Sequence, residues 1–432
     1  MMSPEEIMSH STSPGPSDNG RRKKFLIFGS IAAAILFFVI IPVSVVVPRN
    51  QRENAAIAAL RKLVSDALEK ENVDASGLTD SNTAQGQAFN WLYFQNPGLS
   101  NMDRSQVLQR YALASFYFST YKVPSLYTPN PSIWVVSDGW LSTDNECNWH
   151  GISCNGNDRV TGISLEKNSL TGKIPPGLVL LRDHLTILDL TSNYLFMEPD
   201  DFNFFRSMYR LESILLDDNY LLTEDGLPSS FVNCTDLTML RLSYNLMGGQ
   251  LKDDMFKKLT KLTHLEIESN FFTGTMPTSI GYLQDLVYLY MRRNSMKYNL
   301  NFLKAGKMKS LFALWLDANT LQGSIPTEIG HLTGLASLSL TNGTLSGRIP
   351  TEIGKLTGLR RVWLYGNNLN GMIPTQIEQL SLLEVFEVQR NKLSGTMPSR
   401  ICTTVNKQAY KHKSLVADCS RVNCTGCCTF CQ

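Results

Sequence analysis

The sequence predicts an α/β solenoid, a stack of short turns whose strands form one parallel concave sheet wound as a right-handed superhelix. Three observations predict it. A template, LxxLxLxxNxL, recurs in a single register, with matches beginning at Val160, Leu185, Leu211, Leu237, Leu262, Leu286, Leu311, Leu335, Leu359 and Leu383. Its ninth position holds Asn168, Asn193, Asn219, Asn245, Asn270, Asn294, Asn319, Gly343, Asn367 and Asn391, spaced 24 to 26 residues apart. A Gly-x-Ile/Met-Pro segment follows the asparagine at a fixed offset in most units, as at Gly323–Pro326, Gly347–Pro350 and Gly371–Pro374.

Each unit is too small to bury its own apolar face, so the residues at positions one, four, six and eleven must stack on those of neighbouring turns. These are leucine-rich repeats, covering residues 159–400. The asparagine belongs where the chain leaves its strand, since a buried amide can satisfy backbone groups that no ladder partner reaches. Gly343 breaks that column once. The proline fixes φ and steers the chain onto the convex side.

Ahead of the repeats lie four segments. Residues 1–24, with several serines beside Pro14 and Pro16, read as a disordered cytosolic tail. Phe25 to Val47 is uncharged and long enough to cross ~30 Å of hydrocarbon as a helix. An uncleaved signal-anchor fits it better than a cleaved signal peptide, which has a shorter apolar region and a small-residue cleavage site. Arg21, Arg22, Lys23 and Lys24 abut its amino end, which predicts a single-pass type II topology with the repeats extracellular or lumenal. Residues 48–81, with Ile57, Leu60, Val64 and Ala67 at helical spacing, read as a helical stalk, either a spacer or a dimerising coiled coil. Residues 82–158 carry two further helical patterns and Trp134, Trp140 and Trp149, expected as the core of an amino-terminal cap over the open end of the solenoid.

The carboxyl end, residues 401–432, is a cysteine-rich cap. Cys402, Cys419, Cys424, Cys427, Cys428 and Cys431 permit three bridges in fifteen connectivities, and the CxxCCxxC spacing is also that of a zinc site. An oxidising compartment, with only His412 nearby, favours disulfides, and no metal or cofactor is assigned. Cys234 is left over and reads as a small buried apolar side chain. Asn233, Asn342 and Asn423 head N-glycosylation sequons on the same side of the membrane segment.

The LxGxIP signature and 24-residue period resemble plant-type leucine-rich repeats, found in receptor-like kinases, receptor-like proteins and polygalacturonase inhibitors. The resemblance covers about residues 134–400 and includes Trp140 to Cys154, WLSTDNECNWHGISC, which looks like that family's CxWxGVxC cap. It implies a Cys147–Cys154 disulfide. The layout of basic tail, signal-anchor, helical stalk, cap, repeats and cysteine-dense end looks most like the membrane leucine-rich-repeat proteins numerous in diatoms. Receptor kinases carry their membrane helix after the repeats and a kinase beyond it, whereas here no glycine-rich loop, VAIK, HRD or DFG element occurs. A 24-residue tail cannot hold a kinase, and a signalling co-receptor is one partner this layout allows.

Forty basic against thirty-eight acidic side chains give a charge of +2, so no global field points to nucleic acid. The six histidines form no HExxH and no GxSxG occurs, which argues against an enzyme. A wall-facing structural spacer is the other alternative. The reading preferred here is recognition of a protein, peptide or glycan on the concave face, where strand alternation turns positions three, five, seven and eight away from the core. Those positions bring together Arg241, Tyr288, Tyr290, Arg292, Arg293, Trp315, Asp317, Arg361, Trp363 and Tyr365. Exposed tryptophan, tyrosine and arginine dominate interface energetics, so the expectation is one ligand-binding patch about four turns wide, with a glycan on Asn342 at its edge.

Overall fold

The computed structural model describes residues 49–96, 99–124, 133–306, 308–407, 414–424, 428 and 430–431. The tail at 1–24 and the apolar run at 25–47 lie outside these residues. Among those described, no helix is long and apolar enough to cross a membrane.

Every repeat contributes a three- to five-residue strand to one sheet, in which Val160–Ser164 pairs parallel with Ile187–Asp189 and so on to Val385–Glu387. Among the described residues this sheet has 13 strands, because it extends past the repeats at both ends. Ile152–Cys154 adds an antiparallel strand before it, while Ser414–Ala417 and Phe430–Cys431 continue it in parallel beyond. The cysteine-rich end is thus two further strands of the solenoid as well as a lid. Leucines and isoleucines at positions one, four, six and eleven are buried throughout, in one continuous core.

The ninth-position amides make the same bonds turn after turn. Asn319 accepts from the Met296 N–H at 3.2 Å and donates to the Met291 carbonyl at 2.9 Å, both in the preceding turn, and Asn270 treats Met247 and Leu242 likewise. Ten consecutive eighth-position residues adopt a left-handed φ to make this turn, including Ser192, Asp218, Tyr244, Arg293 and Asn342. The glycine of each Gly-x-Ile/Met-Pro segment is also left-handed, with Gly323 at φ 84°, which explains a glycine that the proline argument leaves unaddressed. The prolines then lead into single 3₁₀ turns on the convex side, such as Thr327–His331.

Two caps end the amide column. At the amino end, Asn168 accepts from Val136 N–H and donates to Val136 O. At the other end Asp418 takes over, its carboxylate accepting from the backbone N–H groups of Arg390 and Asn391. The gap at Gly343 is bridged differently. Tyr298 stands where most repeats have the left-handed glycine, and its buried hydroxyl donates to the Leu316 carbonyl at 3.3 Å, the group an amide at 343 would have met.

The amino-terminal cap corrects the expectation of a stalk. Helix α1 (Arg49–Glu69) lies against the cap, with Leu60, Val64, Ala67 and Leu68 buried. Its apolar stripe is therefore cap core, closing over α2 (Ala84–Phe94), α3 (Arg104–Thr120) and the first convex turn, rather than a free spacer or a coiled-coil seam. The three tryptophans are buried as expected, Trp134 packing edge-on to Phe116 and Trp140 lying 5.2 Å from Trp149. A buried ion pair pins the cap to the disulfide loop. Arg110 meets Glu146 at 3.0 Å, Gln109 donates to the other carboxylate oxygen at 2.7 Å, and Arg110 also holds Asn96 and the Asp144 carbonyl. With its donors thus engaged, the guanidinium escapes much of the cost of an unpaired buried charge.

The disulfide Cys147–Cys154 is present, and Cys234 is free and buried. Cys424 is bonded to Cys428, and Cys402 and Cys419 are each disulfide-bonded. The Cys419, Cys424 and Cys428 sulfurs converge within 4.8 Å, but in the bonded state they are not thiolates available to zinc. Cys427 lies outside the described residues, as does the side chain of Cys431.

Replacing Asn319 with leucine strands the Met296 N–H and Met291 C=O, and should cost on the order of 1–3 kcal/mol in chemical denaturation. Tyr298→Phe removes one of two donors to the Leu316 carbonyl and should cost about 1 kcal/mol or less. Equal stabilities for both variants and the parent would overturn this account of the ladder.

Candidate functional site

Four concave strands, His264–Glu266, Tyr288–Tyr290, Ala313–Trp315 and Ser337–Ser339, pair in perfect step, so residues at one template position sit side by side. Tyr290 and Trp315 consequently stack, with ring centroids 4.4 Å apart and planes 20° from parallel. The Arg292 guanidinium lies over the Trp315 ring at 4.8 Å. Glu268 clamps that guanidinium with both carboxylate oxygens, at 2.5 and 3.0 Å. On the far side the Trp315 indole N–H donates to the Ser337 hydroxyl at 2.9 Å. Every member of this platform is thus held by a second contact, which removes much of the ordering cost of binding.

The surroundings are aromatic and acidic. His264 lies 4.7 Å from Tyr288, which in turn meets Tyr290 and the exposed Phe312 edge-on. Burial, then Arg241, holds the His264 imidazole below its ordinary range, so it is neutral near pH 7. Burial also pushes the Tyr290 phenol up to about 12. Hydrogen bonding to Glu268 stabilises the charged form of Arg292. Asp317 is half-buried beside them, with one carboxylate oxygen shielded from solvent.

Of the expected residues, Tyr288, Tyr290, Arg292, Trp315 and Asp317 come together here. Arg241 does not join them as a free cation. It lies 3.0 Å from buried Asp217 and 3.5 Å from Glu266, both of whose carboxyls burial pushes upward while Arg241 opposes the shift. Arg293 sits exposed on its left-handed turn at the rim. The expected continuous patch is interrupted, because Ser337, Ser339 and Thr341 are small and buried beside Trp315. Arg361, Trp363 and Tyr365 form a second group beyond that strand, with Arg361 3.8 Å from Glu384. Asn342 is exposed at the edge between the two groups. Asn233, whose amide donates to the Arg206 carbonyl, and Asn423 are also exposed.

Glu268, His264 and Ser337 escaped the sequence reading, although they occupy positions seven, three and three of the same template. Selecting only aromatics and arginines hid the groups that fix them.

No family model matches the chain. Among curated proteins it is similar to the receptor protein-tyrosine kinase CEPR1 of Arabidopsis thaliana, 33% identical over 165 residues, or 38% of this chain and 14% of that one. It is also 28% identical over 178 residues to phytosulfokine receptor 1 of the same plant, 34% of this chain and 17% of the receptor. The chain therefore spans less than a fifth of the curated relatives it matches. Among solved structures, the leucine-rich-repeat ectodomain of the Arabidopsis receptor kinase HAESA, in complex with an amino-terminally extended IDA peptide hormone, superposes with a TM-score of 0.53. Identity is 27%, covering 63% of this chain and 49% of HAESA. HAESA in complex with IDA and the co-receptor SERK1 gives a TM-score of 0.56 at 24% identity, covering 73% and 54%. The chain thus carries a leucine-rich-repeat solenoid like those of plant receptor ectodomains.

Proposed function

We propose that this chain is a membrane-displayed recognition protein, without catalytic activity of its own, that binds an extended peptide along the concave face of repeats five to seven. The observation that carries the reading is the locked platform of Tyr290, Trp315 and Arg292, braced by Glu268 and Ser337. A stacked aromatic pair beside a fixed cation supplies apolar area and direction together. The HAESA ectodomain, of the same fold, holds a peptide hormone, which supports a peptide over other ligands. Anchorage rests on residues 25–47, and the layout is that of the signal-anchored repeat proteins of diatoms, with a co-receptor supplying any signal across the membrane.

Linear peptides selected from a display library on the full-length protein should bind Trp315→Ala at least tenfold more weakly, about 1.4 kcal/mol. Glu268→Gln, which loosens Arg292 and leaves the rings in place, should weaken binding less. Trp363→Ala reports whether the second group belongs to the same site. Selected peptides that bind Trp315→Ala as tightly as the parent would place the site elsewhere. For topology, protease added outside intact cells should spare only the anchor and the short tail. Protected repeats with unmodified Asn233, Asn342 and Asn423 would overturn the type II orientation.

A further inference from the structure

The turn edge of the first four repeats carries a second, separate groove of about 510 Å³, within the range of small-ligand sites. The register itself builds it. Eighth-position residues Lys167, Ser192, Asp218 and Tyr244 form one wall, and tenth-position residues Ser169, Tyr194, Tyr220 and Leu246 form the other. Asn193, Asn219 and Asn245 make the floor. Tyr194 and Tyr220 stand on adjacent strands with ring centroids 6.5 Å apart and planes 19° from parallel, so one wall is an ordered aromatic surface. Tyr194 is 41% exposed and Tyr244 46%. Tyr244 is also held at φ 56°, a conformation a bulky side chain rarely adopts.

The chemistry of this lining is selective. The floor offers no free donors, because the Asn193 amide is consumed by the Leu165, Leu190 and Thr191 carbonyls, and Asn219 and Asn245 are spent in the same way. Nor is there a strand edge for a peptide to extend, since the backbone N–H groups of Ser192, Asn193, Tyr194, Asp218, Asn219 and Tyr244 all donate to carbonyls of adjacent turns. Charge recruits nothing either. The walls hold one lysine, already paired with Glu166, and one aspartate. What remains is aromatic surface, hydroxyls and a carboxylate acceptor, repeated at strand spacing over about 14 Å. Those are the groups that recognise a sugar, whose ring presents C–H faces for stacking and hydroxyls around its rim.

We propose that this groove binds a linear, uncharged oligosaccharide, with pyranose rings packed on Tyr194 and Tyr220 and hydroxyls bonded to Asp218, Ser169 and Ser192. It is independent of the concave platform, which begins at repeat five. The test uses the full-length chain in a detergent without a sugar headgroup. Its probes are neutral oligosaccharides of glucose, xylose, mannose and N-acetylglucosamine, with oligogalacturonate as the anionic comparison. At least one neutral series should bind, more tightly as it lengthens. Tyr194→Ala with Tyr220→Ala should weaken it tenfold or more, whereas the double phenylalanine variant, which keeps both rings and guards against misfolding, should retain most of it. Trp315→Ala should leave it unchanged. Failure of every neutral series to bind, binding of oligogalacturonate alone, or equal binding by the double alanine variant overturns the proposal. So does a loss, in that variant, of the selected peptides with no glycan bound, which would make the groove part of a peptide site.

Discussion

The solenoid depends on one interaction repeated along its length, a buried asparagine amide that closes the turn after each strand. A strand of three residues cannot satisfy the backbone on both sides of a sharp exit, and an unpaired buried N–H or carbonyl costs about 1–3 kcal/mol. The amide reaches back to the preceding turn and pairs both kinds of group at once, as Asn319 does for Met296 and Met291. Because each amide ties the preceding turn to its own, the strands stay in register from turn to turn. That constancy is what allows side chains at one template position to stack. Tyr290 meets Trp315, and Tyr194 meets Tyr220, because the ladder beneath them is regular.

The register, the buried columns and the cap tryptophans were legible because each rests on a period or on a local composition that survives without three-dimensional information. Other features required distances. Leu60 and Val64 have the same helical spacing whether their helix is a free spacer or packs against a cap, and only their burial separates the two. Arg110 and Gln109 sit inside an apolar helical pattern, and nothing in that pattern announces Glu146, 36 residues away, as their partner. The grouping of concave rings was legible in outline, since alternation places them on one face. Its division was hidden, because a serine beside a tryptophan reads as a gap until the indole is seen to bond to Ser337. The turn-edge groove was missed because the template treats positions eight and ten as unconstrained.

Two surfaces with different chemistry therefore share one rigid frame. The concave platform is built from charges that brace aromatics, with Glu268 fixing Arg292 over Trp315. The turn-edge groove has its amides and backbone donors already spent and presents mainly ring surface and hydroxyls. The two surfaces share no lining residue, and each is defined by what its wall lacks as much as by what it offers.

The substitution of Tyr298 for glycine, matched to Gly343 in place of asparagine, bears on how such a protein can change over generations. Repeat arrays grow and shrink by gaining or losing whole units, and a periodic ladder tolerates this, since any turn can follow any other. Here the hydroxyl donor lies in the sixth repeat, its carbonyl acceptor in the seventh at Leu316, and the missing amide in the eighth. Losing or duplicating the middle unit would part the donor from its acceptor. Asn319, the second donor to that carbonyl, keeps the cost of such a change small, so the three turns that carry Tyr290, Arg292, Trp315 and Ser337 are tied together by a bond that the ladder can spare.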